Sequence, residues 1–164
     1  MRPLIDFLRQ SELFHGLPQE KLEQIISIGY QRTFDAGATI ISAGEPSDDM
    51  YVVERGMVEV LVAGGAVPDI PGPPELTPLV QLGQGQVFGE MALVDQGVRS
   101  ATIRSVEDGT TLFVVPREEF WALCEDDHQI GYIVMRNIAC DLSFKLRHRN
   151  LPRLVAGSTE EDAP

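Results

Sequence analysis

Two side chains of opposite charge, Glu90 and Arg99, lie nine residues apart in Phe88-Gly89-Glu90-Met91-Ala92-Leu93 and Arg99-Ser100-Ala101-Thr102. A carboxylate accepts hydrogen bonds from hydroxyl groups, and a planar guanidinium engages two oxyanion oxygens at once. Gly89 permits backbone conformations that a Cβ hinders, and it lets a polar ligand approach the main chain. Met91, Ala92 and Leu93 read as the start of a short helix whose first amides favour an anion. Ser100 adds a hydroxyl donor beside Arg99. With Glu90 on sugar hydroxyls and Arg99 on a phosphate, the segment suits a small nucleotide carrying one charge, ribose rather than deoxyribose. The alternative is an exposed Glu90–Arg99 pair across a loop, worth little to stability. The residues alone do not distinguish adenine from guanine.

The elements that must position this segment follow from periodicity. Leu4, Ile5, Phe7 and Leu8 form one apolar cluster, and Leu13, Phe14 and Leu17 a second. Pro18 suits the first turn of a helix that has Gln19, Glu20 and Glu23 near its positive end. Leu22, Ile25, Ile26 and Gly29 supply its apolar face. Period two then takes over, predicting strands at Tyr30–Phe34, Thr39–Ser42, Met50–Glu54, Met57–Val62, Leu79–Leu82, Ser100–Val106 and Thr110–Val115. Arg55-Gly56 and Asp108-Gly109 supply turns. Many short strands separated by glycine and acidic turns predict a mainly β fold with flanking helices: a β-roll, or jelly-roll-like barrel, between N-terminal helices and a long C-terminal helix.

Gly64–Pro78 interrupts the pattern: eight of its fifteen residues are glycine or proline, which predicts a mobile loop extending a hairpin. Arg117–Leu123 reads as a short helix, and a long one follows from about His128 to Asn150. The long helix carries one apolar row through Met135, Ile138, Leu142 and Leu146, and a second through Ile133, Cys140 and Phe144 that Asn137 interrupts. One row would pack on the strands and the other on a partner helix, so a homodimer is expected. Residues 1–150 are expected to form one domain, with 151–164 an acidic, disordered tail.

Composition narrows the partners. A formal net charge of −12 argues against a surface built to track nucleic acid. Cys124 and Cys140 lack a CxxC spacing and read as reduced thiols, while His15, His128 and His148 are too dispersed for a metal site. Without a long apolar run or a signal-peptide pattern, a soluble cytoplasmic protein is expected. Glu90 has no evident acid–base partner or nucleophile, so no enzyme is predicted.

The Phe88–Leu93 and Arg99–Thr102 pair of motifs resembles the phosphate-binding cassette of cyclic nucleotide-binding domains. That family includes catabolite activator proteins, kinase regulatory subunits and nucleotide-gated channels. The resemblance extends to Leu13-Phe14, to Ile41–Glu54 with Gly44-Glu45 and Met50-Tyr51-Val52-Val53, and to Arg55-Gly56. It implies a β-roll with N-terminal helices, a cassette helix and C-terminal lid or dimer helices. It also implies that Glu90 binds ribose, that Arg99 binds the cyclic phosphate, and that Gly89 and Ala92 offer backbone groups, with Met91 in the cassette turn. Threonine at the position of Ser100 favours cyclic GMP in many relatives, so serine leans toward cyclic AMP, with cyclic GMP as the alternative.

Some positions depart from the family pattern. Val98 stands where proline is frequent, and the residues that would contact the base follow no strict motif, leaving Arg147, His148 and Asn150 as candidates. The basic end of the last helix, with Lys145, Arg147, His148 and Arg149, also answers the helix dipole. The fourteen residues after Asn150 are too few for a helix-turn-helix domain, so no direct DNA binding is expected. Output would then run through the dimer or a separate effector protein. The competing expectation is a ligand-independent interaction or dimerisation module that keeps the fold. No cofactor beyond the nucleotide ligand is expected.

Overall fold

A strand that is apolar at every position needs cover on both faces. Met50-Tyr51-Val52-Val53 is such a run, and the computed structural model places it inside β3 (Asp49–Arg55), where all four residues are buried. The structure describes residues 3–46, 48–64, 75–95 and 97–157. Along β3 successive side chains point to opposite faces. Met50 and Val52 join a core shared with the helices, whereas Tyr51 and Val53 join a second core shared with the other sheet. β8 (Thr110–Pro116) repeats the division, with Phe113 and Val115 toward the helices and Leu112 and Val114 toward the sheet.

One antiparallel sheet has the order β1-β8-β3-β6, with β1 at Tyr30–Phe34 and β6 at Val87–Phe88. The second has the order β2-β7-β4-β5, from Thr39–Ile41, Thr102–Ser105, Val58–Ala63 and Leu76–Leu82. Neither sheet closes on itself, so the expected β-roll or jelly-roll-like barrel is corrected to two open four-stranded sheets with flanking helices. Closure requires the edge strands to hydrogen-bond to each other. Here β1, β6, β2 and β5 are edges, and β6 is only two residues long. Periodicity and turn residues report that strands exist, not which edges meet.

β5 begins at Leu76, three residues before the expected Leu79, so the end of the proline-rich segment is strand. The rest of the loop expectation, over 65–74, lies outside the described residues, as does the tail at 158–164. Gly64 N donates to Glu75 O at 2.8 Å and joins the two ends of that gap.

The helices are α1 (Leu4–Gln10), α2 (Gln19–Ile28), α3 (Arg117–Asp126) and α4 (His128–Gly157), with a 3-10 turn at Glu12–Phe14. Phe14, Leu22, Ile25, Phe120, Ile130 and Ile138 bury their side chains in the helix-side core. Gly29 ends α2 where a Cβ would strike the Phe113 ring and the Val114 carbonyl. α4 runs to Gly157 rather than to about Asn150. Its buried row is Ile130, Ile133, Val134 and Ile138, with Met135 and Leu142 partly covered, while Cys140, Phe144 and Leu146 are exposed. Asn137 does not merely interrupt an apolar row. Its Nδ2 donates to Leu13 O at 2.8 Å and His15 O at 2.9 Å, tying α4 to the N-terminal 3-10 turn.

Candidate functional site

The segment 88–93 leaves β6 through Gly89, whose φ of 75° lies in the left-handed region, and enters a 3-10 turn over Glu90–Leu93. Ala92 N donates to Gly89 O at 3.1 Å, and the Ala92 carbonyl accepts from Arg117 Nε at 2.7 Å, so α3 braces the turn from behind. Arg99 is held from the other side. Its amide donates to Glu45 O at 2.8 Å and its carbonyl accepts from Gly44 N at 2.9 Å. Pro46 and Val98 form a β-bridge next to these contacts. Gly44-Glu45 therefore fixes the main chain from which the Arg99 side chain projects.

Gly89, Glu90, Met91, Arg99 and Ser100 all line one cleft of about 430 Å³, whose apolar wall includes Ile41, Val60, Val80, Leu82 and Ile103. Ala92 is fully buried and does not line it. Arg99 is only 9% exposed. Its Nη2 donates to Asp49 O at 2.6 Å, and its guanidinium carbon lies 5.9 Å from the Tyr51 ring centre. Arg99 Nε is buried and finds no acceptor among the described residues. Burial, reinforced by Asp48, raises the Asp49 carboxyl pKa, with Arg99 opposing it. A guanidinium so enclosed and incompletely paired suits an incoming oxyanion, because a buried donor without a partner is costly.

Glu90 faces a different cation. Its Oε1 lies 3.6 Å from Lys145 Nζ, and Lys145 in turn reaches Asp141 Oδ2 at 2.7 Å. Among the described residues no direct Glu90–Arg99 ion pair forms, so the simple-pair alternative does not describe this fold. Carboxylate and guanidinium instead occupy the same cleft with separate partners, Lys145 for the one and the Asp49 carbonyl for the other. Lys145 lines the cleft, whereas Arg147 and His148, expected as base-contacting candidates, are exposed and do not. The side chain of Asn150 is outside the described residues. Helical phase was the signal that could have found Lys145, since it follows Leu142 by three positions and Asp141 by four.

Gly89 is the tightest point of the cradle. A Cβ there would stand 2.7 Å from Arg99 Nη1 and 2.9 Å from Asp49 O, at a φ that L side chains rarely adopt. Gly89→Ala should therefore destabilise the fold by about 1–3 kcal/mol and displace Arg99. Chemical denaturation measures the first effect; unchanged stability would mean that the turn relaxes without strain.

Among the described residues no cluster of three or more His, Cys, Asp or Glu side chains is arranged to hold a metal, and no helix is long and apolar enough to cross a membrane. Burial pushes the Cys124 thiol up to about 11, while Cys140 is exposed; neither forms a disulfide.

The family model for the cyclic nucleotide-binding domain matches residues 31–127, a span containing all of both sheets but Tyr30, together with the Gly89–Ser100 segment of the cleft. The cyclic AMP receptor protein of Thermus thermophilus is 34% identical over 146 residues, covering 88% of this chain and 61% of that protein. The cGMP-dependent protein kinase egl-4 of Caenorhabditis elegans is 31% identical over 123 residues, covering 75% of this chain and 15% of the kinase. The crystal structure of the Thermus thermophilus catabolite activator protein superposes with a TM-score of 0.75 at 31% identity, over 90% of this chain and 63% of that one. The chain thus spans about three fifths of the Thermus relative and a small part of the kinase. On the family match, the shared fold and the cleft that unites Glu90 with Arg99, the chain belongs to the cyclic nucleotide-binding domain family, as a regulatory sensor domain.

Proposed function

We propose that this domain is a cyclic AMP sensor in which Arg99 takes the cyclic phosphate and Glu90 the ribose 2′-hydroxyl. Gly89, Met91 and Ser100 complete the cradle, and Ala92, buried behind it with its amide on Gly89 O and its carbonyl on Arg117, holds the turn in shape. The observation that carries the reading is the nearly enclosed Arg99, with its unpartnered Nε, in the cleft that Glu90 also lines. Serine at position 100 favours cyclic AMP over cyclic GMP, and the Thermus relative is named as a cyclic AMP receptor. The exposed Phe144 and Leu146 support α4 as a contact for a second copy or a separate effector protein. The acidic composition disfavours direct DNA contact by this domain.

Ligand binding shifts such a protein only if it favours one arrangement of α4 over another. Calorimetric titration of the nucleotide-free chain with cyclic AMP and cyclic GMP tests the proposal. Saturable binding at one site, tighter for cyclic AMP, is expected. Tighter cyclic GMP binding would reverse the base assignment. A folded chain that binds neither would be the ligand-independent interaction module.

A further inference from the structure

Lys145 stands where two cavities meet. The cleft of about 430 Å³ lies on one side, and on the other is a cavity of about 440 Å³ whose lining includes Glu12, Asn137 and Asp141. Only a few residues line both, and they include Glu90 and Lys145. The Glu90 side chain is 15% exposed and that of Lys145 57%, so the carboxylate is fixed in the wall while the lysine reaches it from α4. The two contacts of the ammonium are unequal: 2.7 Å to Asp141, one helical turn away, and 3.6 Å to Glu90. Moving Lys145 away from Glu90 therefore leaves it paired.

We infer that Lys145 competes with the ligand for Glu90: its ammonium engages the carboxylate in the unliganded chain, and Asp141 retains the ammonium when a ribose hydroxyl takes its place. The inference rests on the reading of Glu90 as the ribose acceptor. A hydroxyl-to-carboxylate hydrogen bond is strong because the acceptor is charged, and a cation already on that carboxylate weakens it and occupies part of the approach. Burial lowers the Lys145 pKa, but the Asp141 hydrogen bond and the Glu90 charge outweigh it and leave the pKa raised, so the lysine stays charged. The opposite role, a lysine that attracts the cyclic phosphate, predicts the opposite sign on removal.

Calorimetric titration of the full chain with cyclic AMP separates these roles. Lys145→Met keeps the length of the side chain without its charge, and it should tighten binding about 1.5- to 5-fold, the range of a partly exposed ion pair. The gain should shrink as salt screens the pair, and Lys145→Arg should restore the wild-type affinity. In a Glu90→Gln background the Lys145 substitution should add nothing. If Glu90→Gln weakens binding while Lys145→Met leaves it unchanged or weaker, the competition is overturned and the ribose role of Glu90 stands. If Glu90→Gln binds as tightly as the wild type, the ribose role falls and the competition falls with it.

Discussion

Arg99→Ala is expected to weaken cyclic AMP binding about ten- to a hundredfold, the loss of charged hydrogen bonds worth roughly 1.5–3 kcal/mol. The size follows from enclosure. Arg99 is 9% exposed, so little water stands ready to take over its role toward a bound anion. Its main chain is pinned by Gly44 and Glu45, and its Nη2 by the Asp49 carbonyl, so the guanidinium waits in place rather than being ordered on binding. Arg99→Lys should fall between the two, because an ammonium keeps the charge and loses the planar fork. Thermal shift offers a second readout. Cyclic AMP at a hundredfold excess over its Kd should stabilise the wild type by about 2.7 kcal/mol, and the same concentration should stabilise Arg99→Ala far less. Equal calorimetric affinities for the two proteins would remove the phosphate role from Arg99.

Phe120→Ala should cost about 3–5 kcal/mol of folding stability, out of the roughly 5–15 kcal/mol available to a domain. Phe120 is fully buried in α3, and its ring meets Trp121 edge-on at 6.4 Å between centres. It belongs to the core that gathers Leu22 and Ile25 of α2, Phe113 and Val115 of β8, and Ile130 and Val134 of α4. Elements from both ends of the chain thus share this cluster, and no single one of them moves freely to fill the gap. Guanidinium denaturation should show a lower midpoint at an unchanged slope. A cost under about 1 kcal/mol would mean that the helix layer collapses onto the vacancy, contrary to the close packing expected of a core.

Much of this architecture was legible in the residues. β1 falls at Tyr30–Phe34 as periodicity predicts, because its neighbours Gly29 and Asp35 stop it at both ends. Gly56 and Gly109 adopt positive φ at the turns assigned to them. β6 escaped notice because two residues, Val87 and Phe88, carry no period. Sheet closure is decided by edge pairing between distant strands, which a local alternation does not encode. Within the site, Gly89, Glu90 and Arg99 were legible because their chemistry is compressed into one short segment. Lys145 was less so: it lies fifty-five positions after Glu90, and helical phase puts it near the half-buried Leu142 and Asp141 without saying that α4 packs beside the cleft. Asn137 was read as a flaw in an apolar row, since sequence shows its polarity but not the two carbonyls that satisfy it.

The Asn137 tie also makes α4 a lever with a long outer arm. At the rise of a straight helix, Lys145 lies about 12 Å beyond that fulcrum and Gly157 about 30 Å beyond it. A sideways displacement at Lys145 is therefore multiplied about two-and-a-half-fold at the far end. On a rigid helix pivoting at Asn137, an ångström of sideways travel beside the cleft corresponds to about two and a half at Gly157.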